Sequence, residues 1–403
     1  MKNSILFIIL SFSLLSCQHK GDSTKNSTIE TIPVFSNYTA ELPFSAFVDT
    51  IELIPLETTE DNLIGEITRV IFNDGKYYIR STNGMQNPKL FVFNENGKYI
   101  QKISKQGVGP GEYIQFEDFT IANDNHIVIA DYRKLLYFDP EGQFLHETKV
   151  EIPPTEGDFS PTEILPTKDN EYLIFLTFPE KHLLAKINNE GKQDFFFNPG
   201  EDGVKKSQFF RTWRALFSTD SCFYLNYPYC DTIYSISSDL SKITPSYYID
   251  YTPKKLPDIP IEPTDDVISW KKKLSHLGDY LKTASFGIRD KFLYIGITDK
   301  AYKGYLSLYS KRSKKIMTAK RLVDDMYLKG NVITVTGKRI PHNMDGNDII
   351  WEIKPRILMK GYQRLSATDR ETLQQKYPAW DQISSSLKED DNPVLLRIKV
   401  KDF

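Results

Sequence analysis

Phe91-Val92-Phe93-Asn94-Glu95-Asn96-Gly97-Lys98-Tyr99 reads as an apolar, aromatic run, a short polar step, a glycine and a second polar–aromatic run. The pattern returns as Leu136-Tyr137-Phe138-Asp139-Pro140-Glu141-Gly142-Gln143-Phe144, and again as Ala185-Lys186-Ile187-Asn188-Asn189-Glu190-Gly191-Lys192. The three glycines are 45 and 49 residues apart. Two copies without the glycine follow, over 234–242 and 308–315. Each copy predicts a β-hairpin: β-branched and aromatic residues favour strands, and glycine supplies the positive φ of a tight turn. Two further strand-like runs precede each hairpin; in the second unit they are Phe119–Ala122 and His126–Asp131. Four short strands in about 45 residues is the period of a propeller blade. A lone blade cannot bury both of its faces, so blades must stack in a ring.

Counting units predicts an all-β, six-bladed β-propeller, with units starting near Ile64, Phe116, Pro161, Phe209, Ala284 and Asp324. Two helical insertions interrupt it. Over 264–282, Val267, Trp270, Leu274, Leu277 and Leu281 share one helical face, with Thr264 as N-cap. Over 368–388, Thr368 and Glu371 form a capping-box pattern and Pro378 interrupts the helix. Both apolar faces are expected to pack onto the propeller. In the sixth unit, Met326–Leu328 and Val332–Val335 are strand-like, and after the insertion only Val394–Val400 remains. An open blade would leave an unpaired edge. The run Val48–Leu56 is therefore expected to pair beside Val394–Val400 and close the ring, with Pro55 near the strand end where its missing N–H is tolerated.

The 403 residues carry 51 Lys and Arg against 53 Asp and Glu, a net charge of −2, which argues against a nucleic-acid partner. Hydrophobic residues at 40% exclude disorder over most of the length. Three cysteines make no disulfide framework. Met1-Lys2-Asn3 is a short positive start before the apolar run Ile5–Leu15, which is shorter than the roughly 20 residues of a spanning helix. Together they predict a signal peptide over 1–16. Leu14-Leu15-Ser16-Cys17 resembles a bacterial lipobox, in which Cys17 is lipidated. The polar stretch after it predicts a flexible tether over 17–45 ahead of a propeller over 46–403. Gln18 in place of Asp leans towards the outer membrane.

At Gln106-Gly107-Val108-Gly109-Pro110-Gly111-Glu112-Tyr113 a family likeness becomes specific. The segment running on through Phe116, Phe119, Ile127–Asp131 and the Gly142 turn resembles an NHL-type repeat. It is more closely similar to the six-bladed β-propeller lipoproteins of Gram-negative bacteria. Those proteins share the lipobox, a Gly-x-Gly-Pro-Gly-Glu-Tyr junction and an Asp-Asn-Pro-Val ending, here Asp391-Asn392-Pro393-Val394. The resemblance implies the fold and a lipid anchor. That family has no settled activity, so no catalytic residues carry over.

The candidate ligand residues are Glu112, Tyr113, Arg133, Arg211 and Trp213, all beside expected blade junctions or turns and able to face the central channel. Arg with Trp suits a sugar or an anion through stacking and charge. The glycine-rich stretch is no phosphate loop, since Lys-Ser/Thr and a following helix are missing. The six histidines form no short-spaced ligand pair, no Gly-x-Ser-x-Gly elbow occurs, and no metal or cofactor is expected. Cys222 and Cys230 flank a hairpin centred near Asn226, as a bridge or as two buried thiols. The reading is a cell-envelope lipoprotein whose propeller binds a glycan, a peptide or an envelope protein. The competing reading is a lyase or hydrolase with its site in the channel. The enzyme should bring ionisable side chains from several blades to one channel mouth; the binding module should show exposed aromatics instead.

Overall fold

The structure, a computed structural model, describes residues 29–403 except 85, 151–152, 154–156, 211, 213, 263, 335–342 and 346–347. Three strands come first: β1 (Glu30–Pro33), β2 (Tyr38–Pro43) and, after the single turn α1 (Phe44–Phe47), β3 (Val48–Pro55). Blade one is β4 (Glu66–Asn73), β5 (Lys76–Asn83), β6 (Gln86–Asn94) and β7 (Tyr99–Ile103). Blade two is β8 (Asp118–Ile121), β9 (Ile127–Asp131), β10 (Lys134–Phe138) and β11 (Phe144–Lys149). Blade three is β12 (Gly157–Pro166), β13 (Tyr172–Pro179), β14 (Leu184–Ile187) and β15 (Gln193–Phe196). Helix α2 (Glu201–Phe209) leads to blade four: β16 (Leu216–Ser218), β17 (Cys222–Leu225), β18 (Thr232–Ser237) and β19 (Ile243–Asp250). Helix α3 (Val267–Ser275) leads to blade five: β20 (Leu281–Ile288), β21 (Phe292–Asp299), β22 (Gly304–Ser310) and β23 (Ile316–Asp324), with β24 (Asn331–Thr334) paired to the end of β23. Blade six is β25 (Asn343–Asp345), β26 (Asp348–Ile353), three helices α4 (Pro355–Gln363), α5 (Ala367–Lys376) and α6 (Pro378–Ser386), then β27 (Val394–Val400) and β3. The innermost strands β4, β8, β12, β16, β20 and β25 touch their neighbours all the way round, which makes the ring.

Strand alternation explains the stacking. In blade two, Ile127, Ile129, Leu136 and Phe138 pack against Tyr78, Leu90 and Val92 of blade one. The intervening Val128, Ala130, Leu135 and Tyr137 pack against Ile164, Tyr172 and Ile174 of blade three. A two-residue period serves both neighbours at once, so both faces of the blade are apolar.

The five repeat copies are the turns between the third and fourth strands. One backbone bond recurs in each: Asn94 N to Lys98 O (2.9 Å), Asp139 N to Gln143 O (2.9 Å), Asn188 N to Lys192 O (3.1 Å), Ser237 N to Lys242 O (2.9 Å) and Ser310 N to Lys315 O (2.9 Å). The Asn94 and Asn188 side chains each accept two backbone N–H groups of their own turn, as such side chains do. Gly97, Gly142 and Gly191 lie at φ of 78°, 78° and 83°. In the degenerate copies Leu240 and Lys314 occupy that conformation at φ of 60°.

Ring closure follows the sequence reading. Strand β27 pairs antiparallel with β3, from Val394 opposite Pro55 to Val400 opposite Val48. Four expectations are corrected. The stretch expected as tether up to residue 45 includes β1, parallel to β19 with Ile32 opposite Ile249, and β2, parallel to β23 with Leu42 opposite Leu322. The chain thus lays an extra strand on blades four and five before closing blade six. The sixth blade does not begin at Asp324: β24 belongs to blade five, and β25 is the innermost strand of blade six. Helix α3 is shorter than 264–282 and is capped by Asp266 with Ser269, not by Thr264. Helix α5 is capped by Ser366, which accepts from Asp369 N (3.1 Å), not by Thr368.

Candidate functional site

Buried ionisable side chains sit on three adjacent innermost strands, Arg69 of β4, Asp118 of β8 and Glu163 of β12, and a fourth, Arg214, precedes β16. Arg69 of β4 pairs with Asp118 of β8, both buried. The Asp118 carboxylate also accepts Ile164 N of β12 (2.9 Å), and Arg69 donates to Ile164 O (3.3 Å). Glu163 of β12 accepts the N–H groups of Ala215 and Leu216 (2.9 Å for Leu216) and lies 3.7 Å from Arg214 Nε. Arg80 donates to Phe116 O (3.1 Å from Nε) and to Thr68 Oγ1 (2.7 Å). Burial pushes the Glu163 carboxyl up, against the opposing pull of Arg214. Burial, with repulsion from Arg214, lowers Arg69 well below the usual guanidinium range. Ionisable groups from four blades do converge, as expected of an enzyme. They are buried, however, and they bond to one another and to the backbone across blade boundaries, with Arg69 Nε alone among them left without a partner among the described residues, so they join blade to blade. Among the described residues no group of three or more His, Cys, Asp or Glu gathers in a metal-holding arrangement.

Because successive strands run in opposite directions, blade-to-blade junctions and the turns between second and third strands open on one face of the ring. Helices α2 to α6 all lie in such connections. We call this the loop face; the five repeat turns lie on the opposite face.

The sequence-selected residues separate on this face. Tyr113 is buried, its ring 5.2 Å from Phe116, and its hydroxyl donates to Pro88 O (2.5 Å). Burial pushes its pKa up to about 12. The expected channel-facing ligand group is therefore a core side chain. The Glu112 carboxylate folds back onto its own loop and accepts Gly109 N (2.9 Å). A side chain at Gly107 would collide with that carboxylate, and Gly111, at φ 74°, lies against the Phe144 ring. The glycines thus hold a compact junction, which Asp131 pins by accepting Ile114 N (3.0 Å) and Gln115 N (2.6 Å). Arg133 is exposed in the β9–β10 turn, its guanidinium 5.2 Å from the Tyr132 ring centre. Arg211 and Trp213, like Cys17, lie outside the described residues. Cys222 at the start of β17 and Cys230 in the β17–β18 connection are free, half-buried thiols. Cys222 faces Ser237 across the ladder, and Cys230 Sγ contacts Thr232 O (3.5 Å). Of the two alternatives the structure has separate thiols, because the pairing of Cys222 with Ser237 centres the hairpin between Tyr229 and Cys230 rather than near Asn226.

Sequence reasoning missed three exposed aromatics of the loop face. Tyr132 (37% exposed) and Tyr302 (69%) come from the second-to-third strand connections of blades two and five, and Phe178 (50%) is the penultimate residue of β13, beside the same connection of blade three. No glycine marked these turns in the sequence, because Arg133, Phe178 and Tyr302 themselves take the positive φ, at 56°, 57° and 59°.

No curated protein matches the sequence at a significant level. A Bacteroides fragilis protein inferred to be exported has a similar structure, with 17% identity over 93% of this chain and 100% of its own, and a TM-score of 0.66. A streptogramin B lyase (12% identity, 75% and 80% coverage, TM-score 0.39) and a protein assigned by inference as a gluconolactonase (9%, 88% and 94%, TM-score 0.42) are more distant. At these identities the likeness is one of fold. The family profile described as a domain of unknown function (DUF4934) matches residues 29–399, and the chain belongs to that family.

Proposed function

We propose that this chain is a cell-envelope lipoprotein, anchored through Cys17, whose propeller is a binding module for a glycan, a peptide or an envelope protein. The observation that carries this reading is the set of exposed aromatics, Tyr132, Phe178 and Tyr302, presented on one face in or beside the equivalent connections of three blades. Aromatic platforms spend little conformational entropy when they bind, and they suit flat sugar or peptide surfaces. The described ionisable groups on the inner strands, Arg69 with Asp118 and Arg214 with Glu163, are buried in pairs, which supports binding over turnover. The N-terminal lipobox supports the anchor, the similarity to a protein inferred to be exported accords with an extracytoplasmic place, and Gln18 favours the outer membrane. No helix among the described residues is long and apolar enough to cross a membrane.

Two measurements test this. A radiolabelled fatty acid should enter the wild-type chain and not Cys17→Ser; label in both, or in neither, contradicts the anchor. Defined glycans and peptides incubated with the full chain should be retained and recovered unchanged by mass spectrometry. Cleaved or eliminated products would contradict the binding reading.

A further inference from the structure

The innermost strand of blade five carries a cation without an anion. Lys282, second residue of β20, has its ammonium 4.8 Å from the ring centre of Tyr229, 5.1 Å from Tyr302 and 6.0 Å from Phe210. These rings come from blade four, blade five and the junction after α2. Its hydrogen bond goes to Tyr229 Oη (3.1 Å). Among the described residues no carboxylate pairs with it, and the charge that acts on it is a second cation, Lys271 of α3. The other titratable groups at the cage are the phenols of Tyr229 and Tyr302, with Tyr280 beside Tyr229. Burial, reinforced by Lys271, lowers the Lys282 pKa to about 8. Aromatic faces offset part of the cost of a half-buried ammonium but do not neutralise it.

A second donor lies behind this cage. Trp270 of α3 is fully buried, its ring 5.2 Å from both Phe210 and Tyr229. Its indole N–H has no acceptor among the described residues. Such an orphan is costly in a folded core. The front of the cage is Tyr302, the most exposed of the three loop-face aromatics. Among the described residues the cage holds the Lys282 ammonium, with Lys271 as the second cation acting on it and no guanidinium fork, which matches a carboxylate better than a phosphate. An open tyrosine face beside it matches a flat ring.

We propose that Lys282 and Tyr302 form a binding site for an organic carboxylate carried on a ring, the acid held by the Lys282 ammonium and the ring stacked on Tyr302. The inference rests on the loop-face binding reading and names the chemistry of one ligand class for it. A sugar acid and an aromatic acid share that chemistry.

The test uses the purified full chain with sodium D-glucuronate and sodium benzoate as probes, and D-glucose and benzamide as their neutral counterparts, followed by saturation-transfer NMR and calorimetry. At least one acid should bind and its neutral counterpart should not, and which acid binds distinguishes the two sources. Lys282→Met should weaken binding about tenfold or more, the effect of losing a charge-assisted bond. Tyr302→Ala, at an exposed position, should weaken it several-fold without affecting folding. Labelling by an amine-reactive reagent near pH 8 should be fastest at Lys282 and slowed by the bound acid. Absence of binding by both acids, equal binding of acid and neutral partner, or unchanged affinity in Lys282→Met would overturn the proposal. If glycans or peptides still bind the loop face when both acids fail, this inference falls alone. If ligand binding maps to the opposite face, the proposed function falls with it.

Discussion

Leu396, in the last strand of the chain, lies directly opposite Leu53, in one of the first. The ring is closed by that strand pair, and the helical insertion clamps it. Trp380 Nε1 donates to Ile51 O (3.0 Å), and Ile51 N donates to the hydroxyl of Tyr327, whose ring stacks on Trp380 at 4.1 Å. Deleting residues 48–56 removes a strand and leaves β27 as an open edge. The expected outcome is aggregation or loss of the cooperative melt in size-exclusion chromatography and calorimetry. Deleting 29–43 leaves all six four-stranded blades intact. That variant should stay monomeric with a lower melting temperature.

Tyr113 gives a sharp contrast between two substitutions. Tyr113→Ala empties a buried ring site and should cost about 3–5 kcal/mol. Tyr113→Phe keeps the packing and loses the bond to Pro88 O, at about 1 kcal/mol. Chemical denaturation of the two variants measures the difference. Near-equal stabilities would place Tyr113 outside the core.

The turns were legible in the sequence because their chemistry is local. Asn94, Asp139 and Asn188 each bond to the backbone of their own turn, and a glycine follows at the residue that needs positive φ. The copies at Leu240 and Lys314 were harder to read because a non-glycine residue takes that conformation. Strand β2 was not legible: of its six side chains only Leu42 is buried, so it shows no alternation, and backbone pairing with β23 holds it in place. The charged wall of the channel hid for another reason. Arg69, Asp118, Glu163 and Arg214 are each visible as an ionisable residue beside apolar neighbours. Their pairing, however, depends on which blades adjoin, and the partners are about a blade apart in sequence. Lys282 is the extreme case, since its cage is drawn from three separate segments.

Removing one member of the channel pair should hurt more than removing both. Arg69→Met leaves Asp118 buried without its cation, and the expected loss is about 3–5 kcal/mol. The double variant Arg69→Met/Asp118→Asn should recover part of that loss. Urea unfolding of the single and double variants measures the coupling. A double variant that loses the sum of both single effects would show that the pair does not interact.

Lys282 ties stability to pH with a definite sign. Its folded pKa of about 8 lies below the ordinary 10.5. Between these values the unfolded chain holds a proton that the folded chain has released, so stability rises with pH across that window. Below about pH 8 both states are charged and the cost of burying the cation is felt in full. Lys282→Met should therefore stabilise the protein at pH 7, by up to about 3 kcal/mol. The advantage should shrink as pH climbs from about 8 to 10.5. Melting curves across this range check it; a destabilised Lys282→Met at pH 7 would mean that the ammonium is compensated.

The loop face itself is tested most directly by binding to glycan and peptide arrays, with paired substitutions on the two faces. Tyr132→Ala/Tyr302→Ala alters the loop face at two exposed rings. Lys98→Ala/Lys192→Ala alters the opposite face at two exposed lysines, whose side chains are 69% and 80% accessible. The account requires that the first pair weakens binding by about tenfold or more and that the second leaves it unchanged. Binding that survives the loop-face pair and is lost with the opposite pair would contradict it.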